Sequence, residues 1–258
     1  MGSESTGTLL RTAHERLYPS VLNPNYLVLR SRRMIFQNWI NQAKGQGLTV
    51  LDIGGRYQPY RPLFEDRANR YIACDIQKTV LVDVIATGQS LPFASASCDV
   101  VVCTQVFEYF ADPYAAAREI ERVLKPGGIL LMSVVGCAPR FVDEERWRYT
   151  PRGIRSILSS FSEVTIVPET SSVGGLLRTL NLGLNTLAHF GSLRAVLKVT
   201  LCPMLNMLGV ALERAKVTNN DQFAPNYSVL AVKGGGCSLE KQLAGSSFPA
   251  QEKPAFVL

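Results

Sequence analysis

Two aspartates that accompany short apolar runs are the residues of this sequence best suited to chemistry. Asp52 lies in the first run and is followed closely by Gly54 and Gly55, and Asp75 ends the next run. Glycines in such a turn let the backbone approach a ligand closely, and an acid after the second strand accepts hydrogen bonds from both ribose hydroxyls. The spacing therefore predicts that a nucleoside binds where two neighbouring strands end.

The elements that must position these residues are strands buried on both faces, alternating with helices. Runs of Val, Ile and Leu without polar alternation are typical of parallel strands covered on both sides. Strands are predicted at Leu48–Ile53, Tyr71–Cys74, Leu81–Ala86, Cys98–Thr104, Gly128–Val135, Ser162–Val167 and Tyr227–Lys233. With helices between them, the βαβαβ order predicts an α/β fold with a doubly wound sheet.

Capping residues mark several of the helices. One helix is predicted from Tyr26 to Lys44, where glycines follow. After the fourth strand, Asp112 is a typical N-cap, Pro113 fits the first turn, and Lys125–Gly128 ends the helix. A further helix is predicted at Pro151–Ser160.

The 258 residues suit one domain with an appendage better than two full domains. Residues 1 to about 20 are predicted to be polar and irregular. The predicted organisation is an N-terminal segment and helix at 1–47, a sheet domain at 48–170 plus 226–233, an apolar and basic helical insert at 171–216, and a disordered tail at 234–258.

Composition excludes several classes of protein. Charged residues make up 19% and hydrophobic residues 47% of the chain, which excludes global disorder. The net charge is +6, but the basic residues are scattered, so we do not expect nucleic acid as a partner. The six cysteines lie far apart without a C-x-x-C pair, which favours a reduced cytoplasmic protein and argues against a metal site.

Further motifs follow the glycine turn in a fixed order. They are the turn Leu91–Phe93, Asp99 in the fourth strand, Val106–Pro113 after it, and Leu124–Gly128 before the fifth. With these motifs, residues 48 to 167 resemble the class I S-adenosylmethionine-dependent methyltransferases, type 11 above all. The resemblance implies a Rossmann-like, mostly parallel seven-stranded sheet, S-adenosylmethionine as cofactor, and methyl transfer as the reaction.

The resemblance also implies which residues bind the cofactor. They are Asp52, Gly54, Gly55, Asp75, Ile76, Thr87, Leu91 and Gln105. Asp52 and Gly54 would form the floor under the methionine part, with Gly55 adding backbone freedom. Asp75 would accept hydrogen bonds from the ribose diol.

The remaining positions concern adenine and the acceptor. Ile76 and Leu91 would flank the adenine plane, and Gln105 lies where the amino-acid end of the cofactor meets the acceptor. Two positions depart from the family pattern. Arg56 stands where a second glycine is usual, and Thr87 stands where an acid usually accepts the adenine amino group, which a hydroxyl does more weakly.

The sequence leaves the acceptor open and assigns no catalytic base. Asp143, Glu144 and Glu145 follow the fifth strand, in a loop that meets the acceptor in this family; a solvated acidic turn is the alternative. We expect methyl transfer to a hydroxyl of a small molecule, glycan or lipid-linked precursor. The alternatives are carbon methylation of a quinone-like lipid and a non-catalytic cofactor-binding or interaction protein. The absence of G-x-G-x-x-G disfavours an NAD oxidoreductase.

The insert is apolar and basic. From Thr170 to Leu212 the sequence contains no Asp or Glu, and leucines from Leu176 to Leu187 fall on the helical face opposite Arg178 and Asn181. Polar residues and Pro203 interrupt its longest apolar stretch, so a spanning helix is not predicted. Two interpretations remain, a lid or dimer surface and a hairpin lying on a membrane. The expected location is therefore the cytoplasm, with peripheral membrane contact through 171–216 as the second interpretation.

Overall fold

A computed structural model describes residues 5–42, 45–140, 142–187, 191–216 and 220–235. Its strands are β1 (Leu48–Ile53), β2 (Ala68–Asp75), β3 (Val84–Ile85), β4 (Cys98–Thr104), β5 (Leu124–Val135), β6 (Glu163–Pro168) and β7 (Asn226–Val232). Its helices are α1 (Thr6–Leu17), α2 (Tyr26–Gln42), α3 (Pro113–Val123), α4 (Pro151–Ile157), α5 (Ser172–Leu187), α6 (Gly191–Val199) and α7 (Leu201–Arg214). Single 3₁₀ turns lie at Arg61–Phe64 and Phe107–Tyr109.

The strands form one seven-stranded sheet in the order β3-β2-β1-β4-β5-β7-β6. The pairs from β3 to β5 are parallel, whereas β7 is antiparallel to both β5 and β6. This confirms the α/β class, the mostly parallel sheet and the helical insert before the last strand. Because β1, β2 and β4 are parallel, their carboxyl ends meet at one edge of the sheet, where such folds bind ligands.

Each face of the sheet carries its own apolar core. Successive residues of a strand point to opposite faces, so Val50 packs with Trp39 of α2 while Leu51 packs with Ile120 of α3. The strand residues that point to either face are apolar, because helices cover both faces of the sheet. Burial on both faces therefore explains why the strands read as runs of apolar residues without alternating polar ones.

The first two crossovers depart from the predicted βαβαβ pattern. The helix predicted between β1 and β2 is wrong, since the segment holds only the 3₁₀ turn at Arg61–Phe64. Pro59 and Pro62 remove backbone donors from this short connection, which disfavours an α-helix. The strand predicted at Leu81–Ala86 shortens to β3, where the carboxylate of Asp83 accepts a hydrogen bond from the amide of Ala73 at 2.8 Å.

The N-terminal segment is more ordered than predicted. The prediction of an irregular segment up to about residue 20 is wrong, because α1 occupies Thr6–Leu17. Ser5 caps this helix, with Oγ accepting from the amide of Thr8 at 3.3 Å, and Leu9 and Leu17 are buried. The start of α2 at Tyr26 is confirmed, whereas residues 43–44 and the tail predicted as disordered, from 236 onward, lie outside the described residues.

Candidate active site

The turn after β1 admits no side chain at either glycine. Gly54 has φ +76°, and a Cβ there would lie 2.2 Å from Cγ2 of Val106. A Cβ at Gly55 would lie 2.7 Å from the carbonyl oxygen of Asp52. Both glycine amides donate to the carbonyl of Cys74, at 2.8 and 3.1 Å. The turn therefore fixes the ends of β1 and β2 against the segment that follows β4.

Asp52 lies buried beneath this turn. Its Oδ2 accepts a hydrogen bond from the Tyr71 hydroxyl at 2.7 Å. Burial raises the pKa of Asp52 to about 7, and the hydrogen bond from Tyr71 opposes this only in part. A cationic group bound above the turn would favour the ionised form, so the carboxyl can respond to the charge of a ligand.

The end of β2 presents an acid beside apolar surface. Oδ1 of Asp75 accepts from the amide of Gln77 at 2.8 Å, and none of the described residues donates to its Oδ2. Ile76, Val80 and Ile85 are exposed large apolar side chains in the same segment, with Ile76 exposed to 71%. A carboxylate next to apolar surface suits a nucleoside, which joins a hydroxylated sugar to a flat base. The sequence motif identified Asp75 and Ile76 but gave no signal for Val80 and Ile85.

The loop after β3 holds the other two predicted adenine contacts. Thr87 forms an isolated bridge with Ser90, and its Oγ1 accepts from the amide of Gln89 at 3.4 Å. Leu91 is buried in the core, and its amide donates to Glu119 at 2.9 Å. Leu91 thus supports this loop from below, and its contact with adenine stays a prediction.

Arg56 has partners away from the Gly54 backbone. Its guanidinium lies 4.6 Å from the ring centre of Tyr57 and donates to the side-chain oxygen of Gln77. The guanidinium of Arg16 lies 4.4 Å from the same ring, which brings α1 to the edge of the glycine turn. No signal in the sequence indicated that α1 lies beside the glycine turn, because the contact of Arg16 with Tyr57 depends on the tertiary fold.

Gln105 follows β4 with a left-handed backbone, at φ 57°. Its amide donates to the carbonyl of Ser133 at 2.8 Å, and its Nε2 lies 3.0 Å from Oγ of Ser133. The side-chain amide of Asn226 lies beside it, within 3.0 Å. A non-glycine residue persists in this region only when its surroundings hold it there, so the position of Gln105 is strongly constrained.

The same contacts continue into a buried ion pair. Oγ of Ser133 donates to Oε1 of Glu169 at 2.6 Å, and Arg32 donates to both oxygens of Glu169 at 2.8 Å. Burial opposes the charge of Arg32, but the attraction of Glu169 outweighs it and raises the pKa of the guanidinium. We call Gln105, Ser133, Glu169 and Arg32 the buried polar network. It connects the end of β4 to α2.

The acids near the ends of β4 and β5 differ in environment. Glu108 is buried; its Oε1 accepts from the amide of Val135, and none of the described residues donates to its Oε2. Burial raises the pKa of Glu108 to about 7. Glu145 has a side chain that is 4% exposed and pairs with Arg148, whereas Asp143 is exposed. The solvated acidic turn therefore describes Asp143 but not Glu145.

Comparison with known proteins supports the same family. Residues 51–132 match the family model Methyltransf_11, a methyltransferase domain. An uncharacterized methyltransferase of Mycobacterium sp. (strain JLS) is 33% identical over 97 residues, covering 34% of this chain and 38% of the relative. Malonyl-[acyl-carrier protein] O-methyltransferase 1 of Coxiella burnetii (strain RSA 493 / Nine Mile phase I) is 32% identical over 96 residues, covering 34% of each. The chain thus matches well under two thirds of the length of these relatives.

Solved structures show the same fold. Phospholethanolamine N-methyltransferase 2 of Haemonchus contortus superposes with a TM-score of 0.51 at 15% identity, covering 88% of this chain and 60% of that one. A sarcosine dimethylglycine methyltransferase of Galdieria sulphuraria superposes with a TM-score of 0.50 at 12% identity, covering 80% and 88%. The glycine turn, the ordered motifs and the fold agree with this match, and residues 51–132 are similar to the methyltransferase domain of class I, type-11-like S-adenosylmethionine-dependent methyltransferases.

Proposed function

We propose that the chain binds S-adenosylmethionine at the carboxyl ends of β1, β2 and β4 and transfers its methyl group to a hydroxyl group of an acceptor. The observation that carries this proposal is Asp75, whose Oδ2 has no donor among the described residues and which lies next to the exposed side chain of Ile76. A ribose diol and an adenine ring would satisfy both groups together.

Residues of three strand ends would hold the cofactor. Asp75 would bind the ribose diol, Ile76 would contact adenine, and Thr87 would accept a hydrogen bond from the adenine amino group. The glycine turn would admit the methionine part, with the carboxyl of Asp52 below it countering positive charge. The bound cofactor supplies an activated methyl group, so the main task of the chain is alignment of the acceptor.

The acceptor would lie between Gln105 and the loop that holds Glu145. The buried polar network fixes Gln105, which gives the acceptor side a rigid wall. A hydroxyl acceptor needs a group to take its proton, and an acid with a raised pKa is suited to that task near neutral pH. Among the acids here, Glu108 has such a pKa, and local opening would be needed to expose it.

Two classes of acceptor are proposed beside a freely soluble hydroxyl compound: a lipid-linked precursor and a quinone-like lipid. The exposed apolar side chains of residues 171–216 favour a lipid-linked or quinone-like acceptor over a freely soluble one, and the enzyme would work in the cytoplasm near a membrane. Radiolabelled methyl transfer into lipid and aqueous extracts tests this. Label found only in the aqueous fraction would exclude a lipid acceptor.

Calorimetric titration with S-adenosylmethionine tests the cofactor site. We expect Asp75→Ala to weaken binding by about 100-fold or more, because two charge-assisted hydrogen bonds to the ribose are lost. Asp66→Ala, which removes an exposed carboxylate outside the site, should bind like the parent chain. Circular dichroism would confirm that both variants are folded. The proposal fails if the parent chain does not bind at millimolar cofactor, or if Asp75→Ala binds normally.

A further inference from the structure

The helix α5 is oriented with its polar side toward the protein. Arg178 and Asn181 are buried, and Arg178 donates to Oδ1 of Asn25 at 2.9 Å. Burial lowers the pKa of Arg178 to about 10, because the guanidinium is removed from water. On the other side, Leu176 and Leu180 are exposed large apolar side chains. The helix thus presents leucines to solvent and buries its cation.

The helix α7 also buries a polar residue, here beside the apolar residues Cys202, Leu205 and Val210. Asn206 is buried; its Nδ2 donates to the carbonyls of Val21 and Asn23 at 2.7 and 3.0 Å, and its Oδ1 accepts from Asn181 at 3.2 Å. Met204, Met207 and Leu208 lie on the exposed side, each with about half of its surface accessible. Two neighbouring helices therefore share a hydrogen-bonded polar seam and carry apolar side chains outside it.

The helix α6 extends this exposed apolar surface. Val196 and Val199 are exposed, and α6 packs against α7. Among the described charged side chains from α6 to the turn after α7, Lys198, Arg214 and Lys216 are exposed, whereas Glu213 is half-buried and accepts a hydrogen bond from Thr170. We call the exposed apolar side chains of α5, α6 and α7 the outer apolar surface. Soluble proteins rarely expose apolar side chains on several adjoining helices, and such a surface marks an interaction site.

We propose that the outer apolar surface docks onto a bilayer that contains anionic lipids. Apolar side chains of an amphipathic helix enter the boundary between headgroups and acyl chains, and basic residues beside them attract anionic headgroups. The lack of Asp and Glu from Thr170 to Leu212 removes the charges that such headgroups would repel. This inference is independent of whether the chain transfers methyl groups.

A second copy of the chain fits the surface less well. A two-fold contact through this surface would place Lys198, Arg214 and Lys216 of both copies in one interface, which would then carry six basic residues. The like charges would repel each other, and the acid of the insert, Glu213, is half-buried and accepts a hydrogen bond from Thr170. Charge therefore favours an anionic surface over a copy of the chain.

The insert would lie on the bilayer rather than cross it. Residues Ala195–Arg214 have the length and composition of a membrane span, with a mean hydropathy of 1.7. However, Asn206 of the same stretch forms hydrogen bonds to the segment before α2, and a Cβ at Gly209 would lie 2.6 Å from Leu27. Crossing a bilayer would break these contacts and leave the Asn206 amide without partners in hydrocarbon.

Sedimentation of the full chain with vesicles tests the proposal. We expect binding to vesicles of phosphatidylcholine with phosphatidylglycerol, weaker binding at high salt, and little binding to phosphatidylcholine alone. Met207→Gln combined with Leu208→Gln should weaken binding by at least about 10-fold, because two apolar side chains no longer enter the lipid. Leu10→Gln, a change of equally exposed apolar surface on α1, should bind like the parent chain.

Two results would overturn the proposal. One is equal sedimentation with and without anionic vesicles. The other is a dimer in analytical ultracentrifugation that the double variant dissociates while no vesicles bind, which would assign the surface to a second copy. Cofactor titration of the double variant separates this question from the proposed activity, since it should match the parent chain whether or not the vesicles bind.

Discussion

The strands of the sheet are buried mainly through apolar side chains, whereas the helices of the insert bury several polar side chains beside apolar ones and expose large apolar side chains. In the sheet, Val50 and Leu51 point to opposite faces, and both are buried against apolar helices. In the insert, Asn181 and Asn206 are buried and hydrogen-bonded while Met207 is exposed. An amphipathic pattern therefore identifies the two faces of a helix but does not decide which one points inward.

The largest predicted effect concerns the ion pair that joins α2 to the residue after β6, at the end of the sheet domain that leads into the insert. Glu169 directly precedes the insert, and its partner Arg32 is buried with it. Arg32→Ala would leave the carboxylate of Glu169 buried without its cation. We expect the free energy of unfolding, measured in urea, to fall by about 3–5 kcal/mol.

Arg11→Ala is the matched control, since it removes an arginine from an exposed pair with Glu15. Exposed pairs of this kind contribute little, so we expect no measurable loss. A loss below about 1 kcal/mol for Arg32→Ala would mean that water reaches the pair and that it holds α2 to the sheet domain less tightly than the structure indicates.

The second prediction uses pH, because the sheet domain holds buried acids and the insert holds none from Thr170 to Leu212. Burial raises the pKa of Glu108 from an ordinary value of 4.5 to about 7 in the folded chain. The folded state therefore keeps a proton that the unfolded state has lost. The contribution of Glu108 to stability is full below about pH 4.5 and is lost as the pH rises through about 7.

Between pH 4 and pH 8 the free energy of unfolding of the parent chain should fall. In Glu108→Gln this fall should be smaller by up to about 3 kcal/mol, measured by urea unfolding at each pH. Part of the decline should remain, because burial raises the pKa of Asp52 in the same direction. Glu65→Gln, at an exposed position, should leave the pH profile unchanged. Identical profiles for Glu108→Gln and the parent chain would show that Glu108 is solvated.

The features of the fold that depend on neighbouring residues could be predicted from the sequence. The N-cap at Asp112 and the apolar run of β4 are properties of neighbouring residues, and both are confirmed. The ion pair of Arg32 and Glu169 joins residues 137 positions apart, so no local pattern reports it. The missed helix α1 has the same cause, because its buried leucines need a partner surface that the sequence does not display.

In the candidate site, too, local motifs predict some features, and others depend on the tertiary fold. Gly54 and Asp75 belong to short motifs, and the structure brings their strand ends together at one edge of the sheet. Leu91 belongs to an equally recognisable motif, but it lies in the core. Val80 and Ile85, before and within the short strand β3, are exposed, and no motif of the sequence predicted this. A motif therefore locates a turn more reliably than it orients each side chain.

The smallest predicted effect tests the inverted insert with two adjacent residues of α7. Asn206→Ala should lower the free energy of unfolding by about 1–3 kcal/mol, because two backbone carbonyls and the Asn181 amide lose their partner. Met207→Gln should change it by less than about 0.5 kcal/mol, since that side chain is exposed. If Met207→Gln destabilises the chain as much as Asn206→Ala, the outer apolar surface is already packed against protein in solution, and the contrast between the two regions disappears.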